Sequence, residues 1–212
     1  MASKLYQVKF EPGKRYHVFN HATGFDKLFL SDENKRYFLQ RYAEYIEPVC
    51  KTFAYCLMNN HFHLLVEVRS EAELRAFFAT RKQREVLPTL HQIVMQEFSN
   101  LCNAYAKAFN KQHKRRGALF LDYIRRIEID TFAYTQQMVK YIHFNPIKHG
   151  FTDRVQDWQF SSFYSIITEK PSRLDRQTVL DWFGGHEAFL AVHNFDGSDW
   201  YKDDIDLEFG MY

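Results

Sequence analysis

Residues 53–68 constrain the fold more strongly than any other part of the chain. Two runs of strand-like composition, 53–58 and 61–68, are separated only by Asn59 and Asn60. Asparagine tolerates a positive φ angle, so this pair predicts a two-residue hairpin turn between antiparallel strands. Apolar side chains alternate along the second run, which assigns one face of the strand to the core: Phe62, Leu64, Val66 and Val68. The opposite face carries His61, His63, Leu65 and Glu67.

Other sequence patterns predict a strand and several helices around this hairpin. A short strand is predicted at 16–20, and a helix follows it from an N-cap at Ser31 to a stop at Pro48. Strands interleaved with helices around a hairpin predict an α+β fold, in which helices back an antiparallel sheet. The remaining predicted segments are helices at 71–82, 89–109 and 131–145, the last ended by Pro146, and an extended stretch at 118–129.

The distribution of charge divides the chain into a basic body and an acidic tail. The net charge is +2, but residues 170–212 carry four basic and nine acidic side chains, or −5, which leaves +7 for the rest. A basic body is consistent with binding a polyanion. We expect one domain over 1–168, followed by an acidic, mostly helical C-terminal extension over 169–212.

Composition excludes several classes of protein. Aromatic residues make up 17% of the chain, which excludes general disorder. No apolar run is long enough to span a membrane, and the N-terminus lacks the apolar stretch of a secretory signal. The cysteines are odd in number, lack zinc-type spacing and are expected to be reduced thiols in a cytoplasmic protein: Cys50, Cys56 and Cys102.

His61 and His63 are candidate metal ligands. They are two residues apart on a predicted strand, so both imidazoles leave the same face and can point at one metal ion. Imidazole binds several divalent metals, and Mg²⁺ or Mn²⁺ would need oxygen ligands to complete the shell. The alternative is a solvated sheet face with no metal.

Tyr141 is a candidate nucleophile near the end of the predicted helix 131–145. Asn145 lies four residues later and Gln137 four residues earlier, so the three share one helical face. A tyrosine beside amide oxygens and a metal suits attack on a phosphodiester, since a metal polarises the phosphate. Alternatively, Tyr141 is an ordinary core residue and Asn145 only precedes the proline that stops the helix.

Three blocks together resemble a known family. The runs MNNHFHLLVEV (58–68), YIHFNPIKHGF (141–151) and DWQFSSF (157–163) are similar, in this order, to the REP-associated tyrosine transposases. These belong to the single-tyrosine transposases with a His-hydrophobic-His (HUH) motif. The resemblance covers roughly residues 15–165. It departs from the family at Asn59, where a proline is common, and at NPIKHG, where NPVRAG is common.

The resemblance implies a fold and a mechanism. The fold would be a ferredoxin-like or RRM-like antiparallel sheet backed by helices. His61, His63 and Asn145 would bind a divalent metal, Mg²⁺ or Mn²⁺, with Gln137 a competitor of Asn145 for the third position. Tyr141 would cleave and rejoin single-stranded DNA with hairpin or repeat structure through a 5′-phosphotyrosine link. The protein would be cytoplasmic and associated with the nucleoid.

A cluster of basic side chains is expected to contact DNA. Positive side chains bind phosphates, whereas interleaved aromatic rings can stack on bases. The alternative is a solvated loop followed by an ordinary strand. The candidate DNA-binding residues are Lys114, Arg115, Arg116, Arg125, Arg126 and Lys148.

Three rival functions remain open at this point. A replication-initiator or relaxase-like nickase would share the histidines and the tyrosine. A non-catalytic RRM-like nucleic-acid-binding protein would need neither, and a metalloenzyme acting on small phosphodiesters would not need Tyr141. The chain could also act as a monomer or as a homodimer, since in some relatives the tyrosine helix serves the partner's histidines.

Overall fold

A four-stranded antiparallel sheet forms the centre of the structure, a computed structural model that describes residues 7–80, 88–121 and 124–194. The strands lie in the order β2–β3–β1–β4, and every neighbouring pair is antiparallel. This order is that of a ferredoxin-like sheet, so the predicted α+β fold is confirmed. The strands are β1 (Arg15–His21), β2 (Cys50–Leu57), β3 (His61–Val68) and β4 (Arg125–Ile129).

Seven α-helices accompany the sheet within the described residues. They are α1 (Asp32–Tyr45), α2 (Glu71–Thr80), α3 (Leu90–Gln112), α4 (Phe132–Lys148), α5 (Phe163–Ile167), α6 (Arg176–Phe183) and α7 (His186–His193). The predicted N-cap of α1 is confirmed, since the Ser31 side chain accepts a hydrogen bond from the Asn34 backbone amide. None of the described helices is long and apolar enough to cross a membrane.

The first face of β3 lies in the core, as the alternation predicts. Its four apolar side chains are buried in one cluster with residues of α1 and α3. Phe38 of α1 lies with its ring centroid 5.1 Å from that of Phe62, and Tyr105 of α3 lies 5.3 Å from Phe38. These aromatic contacts hold the two helices against the sheet.

The opposite face of β3 is also buried, because α4 packs over it. Leu65 lies in a second apolar cluster with Met138 and Ile142 of α4. The C-terminal helices join the same cluster, where Phe53 of β2 lies 4.6 Å from the ring of Trp182. The expected helical C-terminal segment is therefore present. The domain boundary at residue 168 stays a prediction. The acidic end of the tail lies outside the described residues, at 195–212.

The sequence prediction that α4 ends at Pro146 was wrong. The helix continues to Lys148, and the His149 backbone amide donates to the Asn145 carbonyl over 3.1 Å. A proline removes only one backbone donor, and in the last turn of a long, packed helix the chain tolerates that loss. The extra turn matters, because it carries Lys148 and His149 toward the predicted site.

The three cysteines are free thiols, as expected. Cys50 and Cys56 are buried, and Cys102 is half-buried. Burial raises the pKa of all three thiols, that of Cys102 to about 12, so they remain protonated and unreactive near neutral pH.

A chain of buried hydrogen bonds joins α4 to α7 through two histidines. His193 Nδ1 lies 2.8 Å from the Phe189 carbonyl, which can only accept, so this nitrogen carries the proton. His193 Nε2 therefore accepts from His143 Nδ1 over 2.9 Å, and His143 Nε2 accepts from the Ser162 hydroxyl over 2.7 Å. Burial lowers the pKa of His193 to about 4 and that of His143 well below its usual value. Both rings are therefore neutral in the folded protein.

We expect this pair to make the fold sensitive to acid. The unfolded chain binds protons near pH 6.5, whereas the folded chain does not, so stability is complete above about pH 6.5 and falls as the pH drops toward about 4. Each histidine contributes up to about 1.4 kcal/mol per pH unit. Urea unfolding measured across this range should show a smaller pH dependence for His193→Gln. The exposed His186, changed to Gln, is the matched control and should leave the slope unchanged.

Candidate active site

Strand β3 and helix α4 bring together residues that are far apart in the sequence. His61 Nε2 lies 3.0 Å from the side-chain oxygen of Asn145, across 84 positions of chain. His61 and His63 leave the same face of β3, with ring centroids 4.9 Å apart. The structure therefore places Asn145 at the histidine pair, whereas no described contact joins Gln137 to either histidine.

Tyr141 lies at the same place, one helical turn before Asn145. Its ring meets the rings of His63 and His17 edge-on, with centroids 5.4 and 5.8 Å apart. The Lys148 ammonium lies 5.7 Å from the centroid of the tyrosine ring. Tyr141 is 9% exposed, so only a small part of the side chain reaches solvent. Lys148 therefore adds a positive charge close to the candidate nucleophile.

Both ring nitrogens of His61 face side-chain oxygens. Nδ1 lies 2.9 Å from Asn60 Oδ1, and Nε2 lies 3.0 Å from Asn145 Oδ1. A neutral imidazole carries one proton, so it can donate to one of these oxygens while its other nitrogen presents a lone pair to the second. If Nδ1 donates to Asn60, the Nε2 lone pair and the Asn145 oxygen converge, and a cation between them would relieve the repulsion.

His63 pairs with a second buried histidine, His17 of β1. His17 Nε2 lies 2.9 Å from His63 Nδ1. Burial lowers the pKa of His17 to about 3 and that of His63 well below its usual value, so both rings are neutral. When His63 donates to His17, its Nε2 keeps a lone pair, which is the form that binds a metal. The contact with His17 therefore orients the His63 ring, and in this tautomer it leaves the Nε2 lone pair available.

The donor atoms fit a divalent metal. His63 Nε2 is buried without a hydrogen-bond partner among the described residues, so with the proton on Nδ1 its lone pair is available to a metal. Ligands at right angles around Mg²⁺ lie about 3 Å apart, a spacing close to that of His61 Nε2 and Asn145 Oδ1. Within the described residues no group of three or more His, Cys, Asp or Glu side chains is arranged for a metal, and the side-chain oxygen beside the histidine pair is that of Asn145.

A cleft of about 710 Å³ opens beside His61. The His149 ring lies 5.0 Å from that of His61, and the His21 ring stacks on His61 at 5.5 Å. Sequence reasoning did not single out His17, His21 or Asn60. The sequence does indicate that His17 and His21 share one face of β1 with Phe19. That this face lies beside His61 and His63 follows only from the pairing of β1 with β3.

Matches to known proteins include a curated protein and a solved structure of the same kind. No protein-family model matches the chain. A Haemophilus influenzae protein assigned as a REP-associated tyrosine transposase is 24% identical over 155 residues, which are 68% of this chain and 80% of that protein. A solved structure of a REP-associated tyrosine transposase bound to a REP hairpin gives a TM-score of 0.51 at 14% identity, covering 77% of this chain and 85% of the other.

The resemblance to the REP-associated tyrosine transposases is confirmed.

The basic residues predicted from the transposase resemblance fall into different environments. Lys114 and Arg116 are exposed, and Arg125 and Lys148 are half-buried, so these four remain candidates for DNA contact. Arg115 instead makes contacts within the protein. Its guanidinium pairs with Asp26 and donates to the backbone carbonyl of Ala118 over 2.8 Å.

The structure does not support a DNA contact for Arg126. The side chain is buried, at 5% exposure, and its guanidinium donates to the backbone carbonyls of Val8, Gln7 and Ile124. It also lies 4.9 Å from the centroid of the Phe10 ring. Arg126 therefore joins the N-terminal segment to β4, a role that composition and spacing could not distinguish from phosphate binding.

We expect Arg126→Ala to destabilise the fold by about 2–4 kcal/mol, because it removes three hydrogen bonds from a charged donor to buried carbonyls. Arg116→Ala, an exposed arginine of the same segment, should change stability by less than about 0.5 kcal/mol. Urea unfolding measures both. If the two variants are equally stable and Arg126→Ala binds DNA more weakly, Arg126 contacts DNA as the sequence predicted.

Proposed function

We propose that this protein is a metal-dependent transposase that cleaves and rejoins single-stranded DNA through a 5′-phosphotyrosine intermediate at Tyr141. One observation carries the proposal: α4 lays Tyr141 and Asn145 directly on the two histidines of β3. His61 contacts Asn145 at 3.0 Å, and the Tyr141 ring lies 5.4 Å from the His63 ring. A nucleophile, two imidazoles and an amide oxygen in one place form a set suited to phosphoryl transfer.

His61, His63 and Asn145 would hold the divalent metal, Mg²⁺ or Mn²⁺. When bound, the metal polarises the scissile phosphate and stabilises the charge that develops on its oxygens. With the His61 and His63 protons on Nδ1, Asn60 would accept from His61 and His17 would accept from His63, so each histidine would keep its Nε2 lone pair turned toward the site. The low pKa of His63 favours the same state, because a protonated imidazole cannot bind a cation.

Tyr141 supplies the attacking oxygen. Its hydroxyl loses a proton and forms a bond to phosphorus, while the bond from phosphorus to the 3′ oxygen breaks and that oxygen takes up a proton. The products are a 5′-phosphotyrosine and a free 3′-hydroxyl. In the reverse direction a 3′-hydroxyl attacks such a link, releases the tyrosine and joins two strands. The bond energy is conserved in the phosphotyrosine, so no ATP is needed.

Single-stranded DNA with hairpin or repeat structure is the proposed partner. The solved relative is bound to a REP hairpin. In this chain the exposed Lys114 and Arg116 and the half-buried Arg125 and Lys148 would bind phosphates. Lys148 is the best placed, since it lies beside the Tyr141 ring. The proposed location is the cytoplasm, in association with the nucleoid.

The predicted nucleophile is tested by trapping the covalent link. Labelled stem-loop DNA with single-stranded flanks, incubated with the protein and Mn²⁺ or Mg²⁺, should give an adduct that survives denaturing electrophoresis. Tyr141→Phe lacks the attacking oxygen and should reduce the adduct by at least about 10³-fold. Tyr134→Phe, about two turns earlier on α4, is the matched control and should behave as wild type.

Each other outcome of that experiment selects a rival. An adduct that persists in Tyr141→Phe means that another residue is the nucleophile. No adduct on a broad pool of stem-loops, with DNA binding intact, favours a non-catalytic nucleic-acid-binding protein. Cleavage of small phosphodiesters that is indifferent to Tyr141→Phe favours a metalloenzyme of another class.

The proposed metal site is tested without DNA. Titration with Mn²⁺, followed by electron paramagnetic resonance, should show binding that weakens by at least about tenfold in His63→Gln and in Asn145→Ala. Asn145→Asp keeps an oxygen ligand and should retain the metal. His113→Gln, at the end of α3, is the control and should bind as wild type. Equal Mn²⁺ affinity in all variants, with thermal unfolding confirming the fold, would contradict the assignment.

A further inference from the structure

We propose that the cleft beside His61 binds one unpaired nucleotide next to the scissile phosphate and stacks its base on Phe25. This inference rests on the proposed function, which brings the strand to His61. The cleft has a volume of about 710 Å³, within the range of about 300–1,000 Å³ that small-molecule sites occupy. We call it the Phe25 cleft, and its lining includes His21, Phe25, Lys27, Asn59, His149 and Phe151.

Two exposed phenylalanines line this one cleft. Phe25 is 109% exposed, so its whole ring is in water, and Phe151 is 44% exposed. Single exposed apolar side chains are common on proteins, but two aromatic rings around one cleft beside a candidate active site form a patch that suits binding. Phe151 rests on Trp158, with centroids 5.6 Å apart, which leaves the rest of its ring available to the cleft.

The loop that carries Phe25 is anchored at both ends. The Ala22 backbone amide donates to the Asn60 carbonyl over 2.7 Å, and the Phe29 amide donates to the Asn59 carbonyl over 3.0 Å. Gly24, with φ of +60°, allows the turn that projects Phe25. The backbone of the loop is therefore fixed next to the hairpin turn that precedes His61, and the Phe25 ring projects from it. An anchored loop backbone reduces the conformational entropy lost when a base stacks on the ring.

The charges around the cleft suit an anionic ligand. Among the described lining residues the one carboxylate is that of Asp26, and its pairing with the Arg115 guanidinium offsets its repulsion of a phosphate. Lys27 is an exposed lysine in the lining, and the exposed His149 lies between the cleft and His61. A phosphate at the His61 end and a base at the Phe25 end would therefore both meet suitable groups.

The side chain of Asn59 adds polar groups to the same wall. Among the described residues it makes no hydrogen bond, although it lines the cleft at the hairpin turn. An amide offers both a donor and an acceptor to a base edge. Unpaired DNA combines a stackable base, a hydrogen-bonding edge and a phosphate. The ring of Phe25, the amide of Asn59 and the ammonium of Lys27 match these three features.

Binding of a stem-loop with single-stranded oligodeoxythymidine flanks tests the inference. Fluorescence anisotropy is measured in the Tyr141→Phe background without metal, so that no cleavage occurs. Adding Phe25→Ala should weaken binding by roughly 5- to 100-fold, the range for loss of one base–aromatic stack. Phe25→Trp should retain affinity. Phe132→Ala removes a ring that is 56% exposed at the start of α4, away from the cleft, and should have no effect.

A second DNA with abasic flanks separates stacking from other effects. The parent protein should bind it about as weakly as Phe25→Ala binds thymidine flanks, and Phe25→Ala should cause no further loss. Equal binding of thymidine flanks by the parent and Phe25→Ala would overturn the inference, as would an equal loss on both DNAs. Adduct formation by protein with Tyr141 intact would still support the proposed function in those cases. If the parent protein binds neither stem-loop, both the Phe25 inference and the proposed function are overturned.

Discussion

The antiparallel pairing of β1 with β3 is the constraint on which the site depends. These are the two central strands, and their register sets His21 opposite His61 and Phe19 opposite His63. His17 then reaches His63 diagonally, at 2.9 Å between ring nitrogens. A slip of one residue would turn His61 and His63 into the apolar cluster beneath α1 and α3. Large side chains such as Phe62 and Tyr16, fully buried on that side, oppose such a slip.

Helix α4 packs over the face of the sheet that carries these histidines, and the resulting burial sets their protonation state. In water an imidazole is partly protonated near neutral pH, whereas burial lowers the pKa of His17 and His63 and keeps both neutral. The same helix supplies the oxygen that faces His61 and the ring that meets His63. The contacts by which α4 closes the core therefore also bring together the proposed metal ligands and the proposed nucleophile.

Sequence patterns predicted the parts of the site that lie within single elements. Alternation along β3 put His61 and His63 on one face, and helical spacing put Tyr141 with Asn145. The patterns could not predict contacts between elements, because those depend on strand register and on which face α4 covers. His17 and Asn60 were missed for this reason. The assignment of Arg126 to DNA binding has a related cause. In the sequence, an arginine that will be buried and donate to backbone carbonyls cannot be distinguished from one that will bind phosphate.

Burial of the site also limits how the proposed DNA substrate would reach it. His61 is 2% exposed and Tyr141 is 9% exposed, so neither can meet a phosphate over a broad surface. Two rings that adjoin His61 are accessible, those of His21 and His149, and both line the Phe25 cleft. A phosphate bound in the Phe25 cleft would lie beside both His61 and the loop of Phe25. Recognition of an unpaired base and positioning of its phosphate would then be parts of one binding event, with His61 as the residue common to both.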